Sequence, residues 1–312
     1  MTPAAFVRFA WITLVLTAFV IVWGAVVRAT GSGAGCGSHW PLCNGVAVPL
    51  APETSTLIEY THRLTSGVVM LLSLAMVVLS RRAFSSGHPA RIWAVWTLVF
   101  MLIEAAVGAG LVLLGLVEDN ASALRAAYIA VHLSNTMLLL GAMTGTIWWA
   151  NQPPRLAQVT IHRSRRLQAT LIFMMAVAAT GAVVALGNTL FPAASLTEGL
   201  AADLDPTSHA LVRLRVIHPF LAAALALVIL ALARRDPSFA GDRRHSLKTL
   251  VVTLLAIQIG LGVINLLMLA PLPLQLVHLI GSNLLWLAMV WSWLGGTGEA
   301  DATNNSQPAT NN

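Results

Sequence analysis

Four of the nine histidines in this 312-residue chain, His62, His132, His218 and His278, fall inside or at the mouth of long apolar runs. An ionisable side chain in such a run must offset its desolvation with a partner or a ligand. One histidine could be a hydrogen-bonded contact between helices. Two facing imidazoles on neighbouring helices of a bundle can instead ligate haem iron. Four placed histidines therefore predict two haem sites, weighed against a purely structural polar network. Zinc is the rival metal, but with two cysteines and few carboxylates near the histidines, a four-ligand site of nitrogen and sulfur donors is not obvious. His39, His88, His162, His209 and His245 fall in predicted loops, where solvation is the default.

Other groups gather around the same runs. Glu59 and His62, at i and i+3, share one side if the helix begins before Glu59, which would bring a proton acceptor near whatever His62 binds. The competing reading has Glu59 capping the helix or pairing with Arg63. Glu104, deep in the third run, reads as a hydrogen-bonded acid of the bundle. Cys36 and Cys43 are expected to form a disulfide if their loop is exterior, either as a staple or as a redox-active pair. Arg28, Arg63, Arg125, Arg213 and Arg215 stand at run boundaries above the histidines, where they could meet haem propionates; snorkelling or loop solvation accounts for each one singly.

The elements that must position these groups follow from composition. The chain is 57% hydrophobic and 10% charged, with a mean hydropathy of +0.78, which excludes a soluble globule. Its net charge of +6 comes from short arginine clusters between apolar runs, a topology signal rather than a nucleic-acid face. A crossing helix needs about 20 apolar residues, and eight runs qualify: 9–27, 64–80, 92–116, 126–149, 167–186, 216–233, 250–269 and 274–294. The first lacks a short basic segment followed by a small-residue cleavage site and is expected to be an anchor. Thirteen of the eighteen Lys and Arg residues fall on one side of these runs, which predicts both termini in the cytoplasm.

The chain also repeats itself. His62 and His218, Glu104 and Gln258, and His132 and His278 occupy matching places 146 to 156 residues apart. The prediction is an all-α membrane protein whose eight helices form two pseudo-symmetric four-helix bundles related by a parallel repeat. Its parts would be 1–150, a linker at 151–166, 167–298, and a disordered tail at 299–312.

The run from Val27 through Arg28, Ala29, Thr30, Gly31 and Ser32 to Gly33, then Cys36, then Trp40-Pro41-Leu42-Cys43-Asn44-Gly45, then Glu59-Tyr60-Thr61-His62-Arg63, resembles the haem A synthases of cytochrome oxidase assembly. With the eight runs and four histidines, the resemblance covers nearly the whole chain. It implies a bacterial cell-membrane enzyme, an oxidoreductase taking the ring D methyl group of haem O to a formyl group through hydroxylated intermediates. It also implies that His62 and His132 hold the substrate haem, that His218 and His278 hold a haem B cofactor, and that Glu59 is the essential carboxylate. Cys36 and Cys43 match the cysteine pair of one class of these enzymes. The family's loop commonly reads Cys-Pro-Asp-Trp-Pro, whereas Gly37, Ser38 and His39 stand between Cys36 and Trp40 here, so a role of that acid does not transfer. Haem O synthase, a quinone or a protein redox partner would suit such an enzyme, and a homo-oligomer is compatible with it.

Two other readings use the same histidines. A di-haem b-type cytochrome would pass electrons without altering its haem and leaves Glu59 without a task. A haem-handling assembly factor or transporter fits the repeat, but all four histidines lie toward one side, which argues against full transfer across the membrane.

Overall fold

A computed structural model describes residues 1–153, 163–236, 239 and 242–296. Most of the expected linker, with Arg155 and His162, and the expected tail at 299–312 lie outside the described residues.

The helices start where a polar residue precedes an apolar run. Thr2 caps α1 (Pro3–Ala29), its hydroxyl accepting the Ala5 N–H at 3.3 Å, and Pro3 opens the first turn where its missing N–H costs nothing. His88 caps α3 (Pro89–Leu113) through Nδ1, which accepts the Ala90 N–H at 3.2 Å. Ser122 and Ser164 do the same for α4 (Ala123–Ala150) and α5 (Arg165–Leu190). The remaining elements are α2 (Thr54–Ala83), the short α6 (Leu196–Leu204) and α7 (Ala210–Arg213), α8 (Ile217–Arg235), α9 (Asp242–Leu267) and α10 (Leu272–Gly295). A 3-10 turn at Leu214–Val216 joins α7 to α8, so the sixth span runs Ala210–Arg235. Among the described residues there is no strand, only an isolated bridge between Cys43 and Val46.

Eight of these segments are long and apolar enough to cross a membrane, and they coincide with the eight predicted runs. Two departures matter for function. The second helix begins ten residues before the apolar run at 64–80, because Thr54 to Arg63 form polar helical turns that carry the loop above them. The stretch between the predicted runs at 167–186 and 216–233 contains α6 and α7.

Packing sorts the spans into two groups. In the first, α1 packs on α2, α2 on α3, α3 on α4, and α4 closes back on α1. In the second, α5 packs on α8, α8 on α9, α9 on α10, and α10 on α5. The groups meet through α1 and α4 on one side and α5 and α10 on the other. In lipid, helix association rests on close packing and hydrogen bonds rather than on escape from water. The shared seam shows both. From Asn135 to Ala150 every residue of α4 except Leu138 is buried, and the Trp286 indole of α10 donates to the Met137 carbonyl at 2.8 Å. Outward faces are apolar and exposed, as at Ile12, Val15, Leu71, Ile172 and Leu227, which suits contact with hydrocarbon.

Candidate functional site

At one end of the bundles the chain between α1 and α2 folds into a compact loop tied to the first turns of α2. Cys36 and Cys43 are joined in a disulfide, and both are buried. Gly35 runs so close to α2 that a Cβ there would stand 2.5 Å from the Ser55 carbonyl group, which only glycine avoids. The Thr56 hydroxyl donates to the Gly35 carbonyl at 2.7 Å. Glu59, 3% exposed, accepts the Cys36 N–H on Oε2 at 2.7 Å. Its Oε1 accepts two bonds from the Arg63 guanidinium, the Nε contact measuring 3.0 Å. The same guanidinium donates to the carbonyls of His39 and Leu42. Thus the Glu59–Arg63 pairing that sequence offered as the competing reading is present, and it anchors the disulfide loop.

The four histidines lie just below this end, each half-buried. His62 is in the third turn of α2 and His132 in the third turn of α4. His218 is in the third turn of its span and His278 in the second turn of α10. His62 and His132 stand within electrostatic reach of each other, as do His218 and His278, so each helix group brings one pair together. The Nδ1 atoms of His62, His132 and His278 are buried without a hydrogen-bond partner. His218 differs: its Nδ1 lies 3.1 Å from both the Val177 carbonyl and the Thr180 hydroxyl, which leaves Nε2 as the free ligand atom. Among the described residues no three or more His, Cys, Asp or Glu side chains are grouped so that they could hold a metal ion.

Glu104 is nearer the site than the sequence suggested. Its Oε1 stands 3.3 Å from His132 Nδ1, out of line for a hydrogen bond, and accepts from Thr136 Oγ1 at 2.5 Å, while its Oε2 accepts from Asn135 Nδ2 at 2.5 Å. The matching position in the other half is Gln258, whose amide lies 3.1 Å from His278 Nε2. The signal was available in the shared spacing of Glu104 and Gln258 to the glycine four residues on, which sequence supports as a repeat but not as a contact.

The five boundary arginines divide by partner. Arg63 is held by Glu59. Arg215 donates to the Gly187 and Phe191 carbonyls and lies 3.8 Å from Asp203; burial pushes the Asp203 carboxyl up from its usual range, against the pull of that guanidinium. Arg213 reaches the Pro206 carbonyl, at 3.5 Å. Arg125 donates to the Glu118 and Asn120 carbonyls. Arg28 crosses between the helix groups, donating to Ala185 O at 2.8 Å, Thr189 Oγ1 at 2.7 Å and Gln275 Oε1 at 3.0 Å. Neither Arg28 nor Arg125 has a carboxylate at ion-pair distance among the described residues.

Fold and site together define a class: a multi-pass helical membrane protein with paired histidines at one end of two packed helix groups. Residues 7–290 match the cytochrome oxidase assembly protein family (COX15-CtaA), and the chain belongs to that family. It is 43% identical over 290 residues to a protoheme IX farnesyltransferase of Thermus thermophilus, a match covering 91% of this chain and 47% of that one. It is 33% identical over 169 residues to a heme A synthase of Exiguobacterium sp., covering 53% and 52%. It is 36% identical over 132 residues to a heme A synthase of Shouchella clausii, covering 42% and 44%. The chain spans about half the length, or less, of these relatives.

Proposed function

We propose that the chain acts as a haem A synthase, oxidising the ring D methyl group of haem O to a formyl group. What carries the reading is the set of paired imidazoles, three with buried and unpartnered Nδ1 atoms, the N-terminal pair lying beneath a buried carboxylate and a disulfide loop. A buried imidazole nitrogen without a partner is costly unless a ligand engages the ring, and the ring pairs therefore fit haem.

In this reading His62 and His132 hold the substrate haem O, and His218 and His278 hold haem B. Haem B, when bound, supplies one-electron transfer. Taking a methyl group to a formyl group, with water supplying the oxygen atom and a quinone or redox protein taking the electrons, releases protons, so the site needs a proton acceptor near the substrate. Glu59 serves as that acceptor, with the Cys36 N–H orienting Oε2 and Arg63 orienting Oε1. Arg28 and Arg125, with no carboxylate at ion-pair distance among the described residues, are the arginines best placed to receive haem propionates. The histidine end faces the exterior of a bacterial cell membrane and both termini face the cytoplasm, as the arginine distribution favours. Haem O synthase is the natural supplier, since a free apolar haem would be lost to lipid. The Thermus thermophilus relative supports this: it is named for farnesylating protohaem IX, and more than half of its length lies outside the match. A quinone or protein would take the electrons.

Farnesyl transfer by this chain itself is the second reading, favoured by that relative's name. Displacing a diphosphate calls for acidic side chains gathered around a divalent cation, and no such group exists among the described residues.

The test is chromatographic identification of haems extracted from the purified protein made with and without a haem O supply. Haem A appearing only with the supply is expected. Haem B alone under both conditions would move the assignment to a di-haem cytochrome. Glu59→Gln, which keeps an acceptor for the Cys36 N–H, is expected to retain haem while conversion falls roughly 100-fold. Unchanged conversion would reduce Glu59 to an anchor of the loop.

A further inference from the structure

Each of the four histidine rings rests against a glycine of the span that precedes its own helix. A Cβ built on Gly181 would stand 2.9 Å from Cε1 of His218, one on Gly24 would stand 3.0 Å from Cε1 of His62, and one on Gly262 would stand 3.2 Å from Cε1 of His278. Gly108 has more room, at 3.8 Å from Cε1 of His132. In all four cases the same corner of the imidazole meets the glycine. Small residues in membrane helices usually let backbones approach, and that is what Gly187 does, its nearest neighbour being the Leu211 carbonyl oxygen at 2.9 Å. Gly24 and Gly181 do something else. The three nearest atoms at each belong to the imidazole and none to backbone.

We infer that Gly24, Gly181 and Gly262 are positioning residues that set the imidazoles of His62, His218 and His278 for haem ligation, an inference that rests on the haem reading above. The argument turns on what a methyl group would displace. A free imidazole is the mobile end of a side chain and can swing away from an added Cβ at small cost. An imidazole that holds iron would lack that freedom, because moving the ring would move the nitrogen that binds the metal. Alanine at these positions therefore weakens haem binding and leaves the haem-free fold largely intact. A glycine that merely packs backbones would show the reverse, with loss of fold first. The graded distances rank the sites: Gly181 and Gly24 are the most sensitive, Gly262 less so, and Gly108 tolerant.

The experiment is titration of the purified full chain with haem b, followed by its Soret spectrum and redox midpoint. The parent His62→Ala reads the C-terminal pair alone, and the parent His278→Ala reads the N-terminal pair alone. Gly181→Ala in the first and Gly24→Ala in the second are each expected to weaken haem binding at least tenfold and shift the midpoint. Gly108→Ala, and Gly260→Ala where nothing lies within 4 Å, are expected to match their parents, and haem-free thermal unfolding is expected to be unchanged throughout. Binding and spectra unchanged in Gly181→Ala and Gly24→Ala would overturn the inference. If Gly181→Ala does not fold, Gly262→Ala in the same parent decides in its place: weakened haem binding with unchanged haem-free unfolding supports the inference, and unchanged binding overturns it. If the wild-type chain takes up no haem, the haem reading itself fails, an outcome visible before any glycine is changed.

Discussion

In the N-terminal half a carboxylate, Glu104, stands 3.3 Å from His132, whereas in the C-terminal half the matching helix places the amide of Gln258 3.1 Å from His278. Their partners in the pairs differ as well. His62 has a buried and unpartnered Nδ1, while Nδ1 of His218 is held by the Val177 carbonyl and the Thr180 hydroxyl. Above the N-terminal pair sits a disulfide loop fastened by Glu59 and Arg63; above the C-terminal pair sits a chain segment with α6 and α7, fastened by Arg215 to the Gly187 and Phe191 carbonyls. One pair thus has a carboxyl group beside a ring and a disulfide above, and the other has an amide, a hydroxyl and a carbonyl against its rings. Under the proposed function this is the division of labour expected of a site that changes its haem and a site that only relays electrons.

The comparison breaks most visibly by removing ligands half by half. His62→Ala or His132→Ala is expected to abolish haem A formation and leave haem B bound, and His218→Ala or His278→Ala to remove haem B; extraction and chromatography of the purified variants would show it. Loss of both haems from any one substitution would mean the halves are not separable. Exchanging the second partners sharpens the contrast with a smaller effect. Glu104→Gln should raise the midpoint of the N-terminal haem by several tens of millivolts and spare the C-terminal one, because an anion near a ligating imidazole favours the oxidised iron. Gln258→Glu should do the opposite in the other half. A potentiometric titration in which neither midpoint moves would show that these neighbours are structural. The smallest effect concerns what the halves share. Arg163 lies over the Trp293 ring at 5.0 Å and the Trp149 ring at 6.0 Å, bridging the ends of α10 and α4. Arg163→Ala should cost about 1 kcal/mol, read as a lowered thermal midpoint with both haem spectra unchanged.

The spans were legible because a crossing helix must be apolar along its whole length, a demand that composition alone satisfies or fails. The polar start of α2 was not, because Thr54 to Arg63 become helical through contacts with a loop distant in sequence, notably Glu59 with the Cys36 N–H. The histidines stood out for their cost in an apolar run. Gly24 and Gly181 carried no such signal, since glycine is common in membrane helices and only the folded chain reveals an imidazole against them. Glu59 was ambiguous for a different reason. Its spacing to both His62 and Arg63 is that of same-face neighbours on a helix, and the structure adds contacts to Arg63 and Cys36.

The burial of α4 has a consequence for biogenesis. Two of the helices that cover it, α5 and α10, are made after it, so α4 enters the bilayer with much of its final surface still facing lipid. Its hydroxyls are prepared for that interval. Thr144 and Thr146 donate to the carbonyls of Leu140 and Ala142 at 2.7 and 3.0 Å within the same helix, so neither needs a partner that has yet to arrive. Asn135 relies on Phe100 and Glu104 of α3, which precedes it in synthesis. The order of emergence and the pattern of polar contacts agree, and α4 can wait in lipid without an unsatisfied group among these residues.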